Sequence, residues 1–201
     1  MNIEFKISRK SVNYAKALAF LEKRVSKVIK GGKELIWLLE HPTTFTAGIR
    51  SNNNEIMDKS INIIKTNRGG KITLHNKGQK VIYFVINLNK RKKDIRNLVT
   101  QIENIIIEFL RIYKINSYSD KKNIGIWVKK KKIAAIGIKV KKWVAYHGFS
   151  INIKNDLSEY LKIKPCGLNN RNVTSIFNEK KKTFSINKNL KKIIFKNIQK
   201  I

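Results

Sequence analysis

The chain has little of several residues that usually carry chemistry. Among 201 residues there is one cysteine, two prolines, three histidines and ten glycines. A single cysteine cannot form an internal disulfide, so no secreted disulfide scaffold is built here. Acidic residues are scarce as well: 13 Asp and Glu stand against 44 Lys and Arg. No run of about 18 apolar residues occurs, which excludes a membrane-spanning helix of ordinary length. The opening "MNIEFKISRK" lacks the apolar core and small-residue cleavage site of a secretory leader. The expected compartment is the cytoplasm, with no membrane partner.

Hydrophobic residues make up 42% of the chain, enough to bury a core and to exclude a disordered polymer. A length of 201 residues suits one domain. The formal charge of +31 invites a nucleic-acid reading, since clustered basic residues gain from counterion release. Two features weigh against it. The basic residues are mostly lysine, whereas base-edge and bidentate phosphate recognition favours arginine. Lysine, asparagine and isoleucine are abundant together, as an AT-rich coding sequence produces without selection for binding. No nucleic-acid partner is expected. The positive field would still steer an acidic protein.

Periodicity predicts a helix over "SVNYAKALAFLEKRVSKVIKGG", capped by Ser11, with Tyr14, Leu18, Leu21, Val25 and Val28 on one face. "ELIWLLEHP" reads as a short buried strand, and "INIIKTN" and "KVIYFVINL" as further strands. "RGGKITLHNKGQ" between them is rich in turn residues. A second long helix runs through "DIRNLVTQIENIIIEFLRIYKI", starting at Asp94, with Leu98, Ile102, Ile105 and Phe109 sharing a face. The strands "GIWVK", "KIAAIGIKV" and "WVAYHGFSINI" follow, the last with Phe149, Ile151 and Ile153 opposite Ser150 and Asn152. A short helix capped by Asp156 leads into Pro165-Cys166-Gly167. An amphipathic basic helix, "NLKKIIFKNIQK", closes the chain. The expected fold is α/β of the α+β kind, a mixed β-sheet flanked by helices. It forms a single catalytic domain over 1–201, with its core at about 34–177 and a basic helical tail at about 188–201.

The uncommon residues gather in four places: Glu40-His41-Pro42 with Gly48, Arg68-Gly69-Gly70 with His75 and Gly78, Gly137 with His147-Gly148, and Pro165-Cys166-Gly167. Glycines suit turns and close approach of backbone to ligand, so these groups read as loops converging on one site. Cys166 could be a small buried hydrophobe, yet Pro165 and Gly167 place it in a loop rather than inside an element. As a nucleophile it would need an activating partner, because a free thiol is only a few per cent thiolate at neutral pH. His75 and His147 are candidates, and so is Lys132, which opens an apolar run; spacing does not rank them. Arg68-Gly69-Gly70 could cradle an anion or simply turn the chain, and it is not a phosphate-binding glycine loop. The scattered histidines and lone cysteine give no metal-ligand spacing.

"LEHPTTFTAG", "RGGKITLHNKGQ", "KIAAIGIKV…WVAYHGFSINI", "DLSEYLKIKPCG" and "VTSI" occur in an order and spacing that resembles the octanoyltransferase, or lipoyl(octanoyl) transferase, family. The resemblance runs from about Leu39 to Ile176. It implies a fold similar to the catalytic domain of biotin and lipoate-protein ligases. It also implies transfer of an octanoyl group from octanoyl-acyl carrier protein to a lysine of lipoyl domains, in protein lipoylation and lipoate biosynthesis, through a cysteine acyl-thioester. The lipoyl domains would be those of 2-oxoacid dehydrogenase complexes and the glycine cleavage H protein. No cofactor is implied. By the same resemblance Cys166 is the nucleophile, and Lys132, not Lys131, lowers the thiol pKa and moves the proton. The substrate-binding segments correspond to Arg68, Gly69, Gly70, Lys71, Ile72, Thr73, Leu74 and His75, to Ala135, Ile136 and Gly137, and to Gly148, Phe149 and Ser150. The family usually has Gly-Pro-Gly-Gln where Asn76-Lys77-Gly78-Gln79 stands, tyrosine at Leu74 and glutamine at Lys71. The alternatives are an ATP-dependent lipoate-protein ligase, which shares the fold but needs no thiol, and, more distantly, a basic RNA-binding module.

Overall fold

In a computed structural model, which describes residues 2–164 and 173–198, the chain builds two sheets. The strands are β1 (Ile3–Ile7), β2 (Glu34–Leu39), β3 (Thr44–Ala47), β4 (Ile63–Lys65), β5 (Ile72–His75), β6 (Gln79–Asn87), β7 (Tyr118–Ser119), β8 (Ile126–Val128), β9 (Lys131–Lys141) and β10 (Val144–Asn152). The helices are α1 (Tyr14–Ile29), α2 (Ile95–Ile112), α3 (Ile176–Lys180) and α4 (Ile186–Asn197). The seven-stranded sheet has the order β1-β2-β6-β10-β9-β8-β7, and a three-stranded sheet has the order β4-β3-β5. Both are mixed. β1 runs parallel to β2 and β3 parallel to β4, while β2, β6, β10, β9 and β8 pair antiparallel in sequence.

The central strands are buried on both faces, which is why they read as continuous apolar runs rather than alternations. In β2 and β6, Ile36, Leu38, Ile82, Phe84 and Ile86 point into a core shared with α2 and α4. Leu35, Trp37, Leu39, Val81, Tyr83 and Val85 point the other way, against α1. A smaller core of Phe45, Ile72, Leu74, Tyr160 and Ile163 lies under the small sheet. Asp94 caps α2 as expected, its side chain accepting from the Asn97 N–H at 2.9 Å. The C-terminal helix α4 buries Leu190, Ile193 and Ile194 in the core it shares with α2.

Several local expectations need correction. Asn13 caps α1, not Ser11. The buried stripe of α1 is Tyr14, Ala17, Leu21, Val25 and Val28; Ala17 lies one helical turn from both Tyr14 and Leu21, and Leu18 falls to the flank, half-buried. Asp156 accepts from the Ser158 N–H and hydroxyl, so it closes a turn ahead of a 3-10 segment, Ser158–Lys162, and does not cap an α-helix. Ser150 and Asn152 are buried like their neighbours, because β10 lies between β6 and β9 with both faces covered. β1, β3, β5, β7 and α3 were not expected.

Candidate functional site

A cavity of about 430 Å³ opens between the two sheets, lined by Arg68, Gly70–Thr73 and His75 from the small-sheet side and by Lys132, Ala135–Gly137 and His147–Ser150 from β9 and β10. That volume falls in the range of small-molecule sites. Thirteen of the sixteen residues expected at the site therefore share one wall. Gly69 and Leu74 do not line it: the Gly69 N–H donates to the Ile138 carbonyl at 3.0 Å, tying the turn to β9, and Leu74 is fully buried in the small core. Cys166 lies outside the described residues, as do its neighbours Pro165 and Gly167.

Lys131 and Lys132 are adjacent in sequence and opposite in environment. Lys131 is exposed, whereas Lys132 keeps only 6% of its surface accessible. The Lys132 Nζ donates to the Ile124 carbonyl at 2.8 Å and stands 5.5 Å from the centre of the Trp127 ring. Downstream of Cys166, Val173 bridges to Lys132 and the Thr174 N–H donates to the Lys132 carbonyl at 2.9 Å. The chain carrying the cysteine thus rejoins the described fold at this lysine.

Arg68 is buried and turns its guanidinium inward. It donates to the carbonyls of Gly69 (3.1 Å), Lys71 (2.9 Å) and Thr46 (2.8 Å), and to the Thr46 hydroxyl (2.8 Å). These bonds hold the 68–71 turn in shape and keep a permanent positive charge in the wall. Of the residues that depart from the usual family pattern, Lys71 and Asn76 have polar partners and Leu74 fills the small core. Lys71 pairs with Glu55 at 2.9 Å. Asn76 donates to the Asp156 carbonyl at 2.7 Å. The Gly78 N–H donates to Glu40 at 2.9 Å.

The three histidines are neutral groups with assigned partners. Gln79 donates through Nε2 to the Leu74 carbonyl and to Asn152, which leaves its Oε1 to accept from His75 Nδ1–H at 2.7 Å. Asn67 donates to Glu22 and so accepts from His147 Nε2–H at 2.9 Å. His41 donates to the Val12 carbonyl and accepts from Tyr83. Burial is the largest cause that lowers their pKa values, to about 4 for His41 and about 3 for His75 and His147; the cation of Arg68 adds to it at His75 and His147. Burial also raises Tyr14 and Tyr83 above the usual phenol value. A histidine with a pKa near 3 is neither a cation nor an effective base at neutral pH. No carboxylate lines the cavity among the described residues.

His147 itself is held at φ +67°, in the left-handed region, and Gly148 at φ +156°. This turn in mid-strand sets the Tyr146 and His147 rings side by side, 4.8 Å apart, where strict alternation would separate them. A Cβ at Gly148 would fall 2.0 Å from the Ile82 carbonyl oxygen, so only glycine lets β10 pair with β6 here. Sequence reasoning missed Tyr14, Tyr83 and the 121–124 stretch of the wall. The two tyrosines sit inside apolar helix and strand patterns, where an aromatic reads as core.

The fold and the cavity together define a class. The family of the lipoyl protein ligase A/B catalytic domain matches residues 13–197 of this chain, and the chain belongs to it. Lipoate-protein ligase A bound with ATP superposes at TM-score 0.81 with 15% identity, covering 99% of this chain and 86% of that one. A bipartite archaeal lipoate protein ligase from Thermoplasma acidophilum, described with its E2 lipoyl domain, superposes at 0.71 with 14% identity, covering 99% and 83%. The biotin protein ligase of Aquifex aeolicus with biotin and ATP does so at 0.57 with 16% identity, covering 99% and 69%. Within that class the chain belongs to the octanoyltransferases. It is 40% identical to the octanoyltransferase of Wolbachia sp. subsp. Brugia malayi over 96% of this chain and 98% of the relative. It is 42% identical to that of Anaplasma phagocytophilum over 88% of each.

Proposed function

We propose that this chain is a lipoyl(octanoyl) transferase that moves an octanoyl group from octanoyl-acyl carrier protein to a lysine of a lipoyl domain through an acyl-thioester on Cys166. The observation that carries the reading is a buried ammonium, Lys132, in a cavity lined by no carboxylate among the described residues, at the point where the chain downstream of Cys166 rejoins the described fold. An ammonium about 4 Å from a thiolate contributes about 4 kcal/mol at an effective dielectric of about 20. That lowers a thiol by about three pKa units, from about 8.5 into the range where it is ionised at neutral pH. The neutral histidines supply no such charge, which favours Lys132 over them as the activating group.

In the first half the Cys166 thiolate, paired with the Lys132 ammonium that holds its proton, attacks the incoming thioester carbonyl. The carrier's thiolate leaves and takes the proton from Lys132. In the second half the amine of the lipoyl-domain lysine attacks the Cys166 thioester. An amide forms, the cysteine leaves as thiolate, and the proton lost by the amine returns through Lys132. Backbone N–H groups in the glycine-bearing walls are suited to the oxyanion of each tetrahedral intermediate. Phe149, Ala135 and Ile136 give the acyl chain apolar contact, worth about 0.8 kcal/mol per buried CH₂. Thioester exchange is close to thermoneutral, so no ATP is consumed. Arg68, Gly70–Thr73, His75, Gly137, Gly148 and Ser150 complete the substrate-binding wall, with Gly69 and Leu74 supporting it from behind.

Mixing the protein with octanoyl carrier protein and a lipoyl domain, without ATP, should place an octanoyl amide on the domain's lysine. Transfer that occurs only from free octanoate with ATP would establish the ligase reading instead.

A further inference from the structure

The stretch Asn123–Trp127 carries no role in the proposed mechanism, and Gly125 belongs to none of the four glycine-bearing clusters of the sequence. Four observations converge on it. The Ile124 carbonyl accepts from Lys132 Nζ at 2.8 Å. A Cβ built on Gly125, whose φ is +142°, would stand 2.4 Å from Lys132 Cε, 2.7 Å from the Ala134 carbonyl oxygen and 3.0 Å from Lys132 Nζ, so the lysine side chain, together with the β9 backbone, occupies the space that the missing methyl leaves. The Trp127 ring lies 5.5 Å from Nζ, and its Nε1–H donates to the Asn123 carbonyl at 3.0 Å, bracing the turn that presents Ile124. The register of β8 against β9 slips here, Trp127 facing Lys132 and Ile126 facing Ala134, which re-aims the strand beside the lysine as bulges do near active sites.

We infer that the Ile124 carbonyl, Gly125 and Trp127 form a cradle that positions the Lys132 ammonium on the cavity wall, with Gly125 the residue that admits the side chain. This rests on the acyl-transfer reading above. A lysine side chain is long and flexible, and its amine can serve a thiol only from a fixed place. The cradle supplies a directed acceptor, a steric slot and an aromatic face on three successive contacts. None of the three residues touches substrate in this account; they act through Lys132.

The test reads the environment of the chain's single thiol. Alkylation of Cys166 by iodoacetamide is followed by intact mass from pH 5 to 9. The charged and titratable side chains sharing the cavity with Lys132 are Lys121 and Lys122 on the preceding turn, Arg68, Lys71 and His75 on the small-sheet side, His147 on β10, Arg50, and the phenols of Tyr14 and Tyr83, which burial raises above the usual value and so out of this window. The two histidines titrate near pH 3 and cannot produce a limb in this window. Lys132→Ala should move the alkylation limb to higher pH. Gly125→Ala should move it the same way, slowing alkylation at neutral pH about tenfold, which corresponds to one pKa unit. Trp127→Phe should give a smaller shift of the same sign. Gly31→Ala is the control: Gly31 has φ +89° with nothing within 4 Å of a built Cβ, so it adds backbone strain far from the site and should leave the limb in place. If Lys132→Ala moves the limb and Gly125→Ala does not, the cradle is wrong and the lysine's role stands. If Lys132→Ala leaves it unmoved, the lysine's role is wrong and the cradle falls with it. Should Gly125→Ala fail to fold, an unmoved limb in Trp127→Phe overturns the inference by itself.

Discussion

Lys132 and the histidines show how far single residues can be read from sequence. Lys131 and Lys132 are indistinguishable by composition, and only the motif that follows favours the second; burial then separates them. Gly125 was not legible, because the atoms that exclude a methyl there, the end of the Lys132 side chain and the Ala134 carbonyl, belong to residues seven and nine positions on, brought back by strand pairing. His75 and His147 were legible as candidates for thiol activation, but none of the three histidines was legible as a neutral group, since their lowered pKa values come from burial beneath residues distant in sequence. Their burial has a consequence for stability. The folded pKa values, about 3 to 4, lie below the unfolded value of about 6.5. The unfolded chain therefore binds more protons below pH 6.5, and stability is intact above that pH and falls as the pH drops toward 4. Each histidine contributes about 1.4 kcal/mol per pH unit in this window, and the three together about 4. Against a typical total of 5–15 kcal/mol, urea midpoints should be level above pH 7 and drop steeply by pH 5. A flat profile from pH 7 to 5 would show that the histidines are not buried as neutral groups.

At the scale of elements, long periodic segments announced themselves; of the shortest, only β4 and β8 did, through their β-branched and aromatic residues. α1, α2, β2, β6, β9 and β10 are long enough for their patterns to persist. β5 has only four residues, Ile72–His75, set among turn formers; β3 also has four and α3 five. They form because the larger frame holds them: β5 pairs with β3, and Ile72 and Leu74 fill the small core. The cavity wall depends on β10 approaching β6 closely at the point where its backbone turns. Gly148→Ala should thus cost more than about 2 kcal/mol and lower the melting temperature, since the added methyl meets the Ile82 carbonyl oxygen at 2.0 Å. An unchanged melting temperature would mean that the two strands separate there without cost.

At the scale of the whole molecule the charge is the conspicuous property and the least specific one. A net +31 is shared by faces that do nothing beyond solvation, and six ion pairs join the described residues. The charge bears on the proposed function at two places. It would steer acidic carrier and lipoyl domains toward the protein, and a cavity lined by no carboxylate among the described residues would favour the proposed thiolate and the oxyanions that follow it. No helix among the described residues is long and apolar enough to cross a membrane. All of this converges on the residue that opened the question of chemistry, Cys166, which the motif order singled out and which lies outside the described residues. The direct test is the intact mass of the protein after incubation with octanoyl-acyl carrier protein alone. The account predicts one octanoyl group on the wild type, released by hydroxylamine as a thioester is, and none on Cys166→Ser. Equal acylation of Cys166→Ser, or an unmodified wild type that still transfers octanoyl to a lipoyl domain, would contradict it.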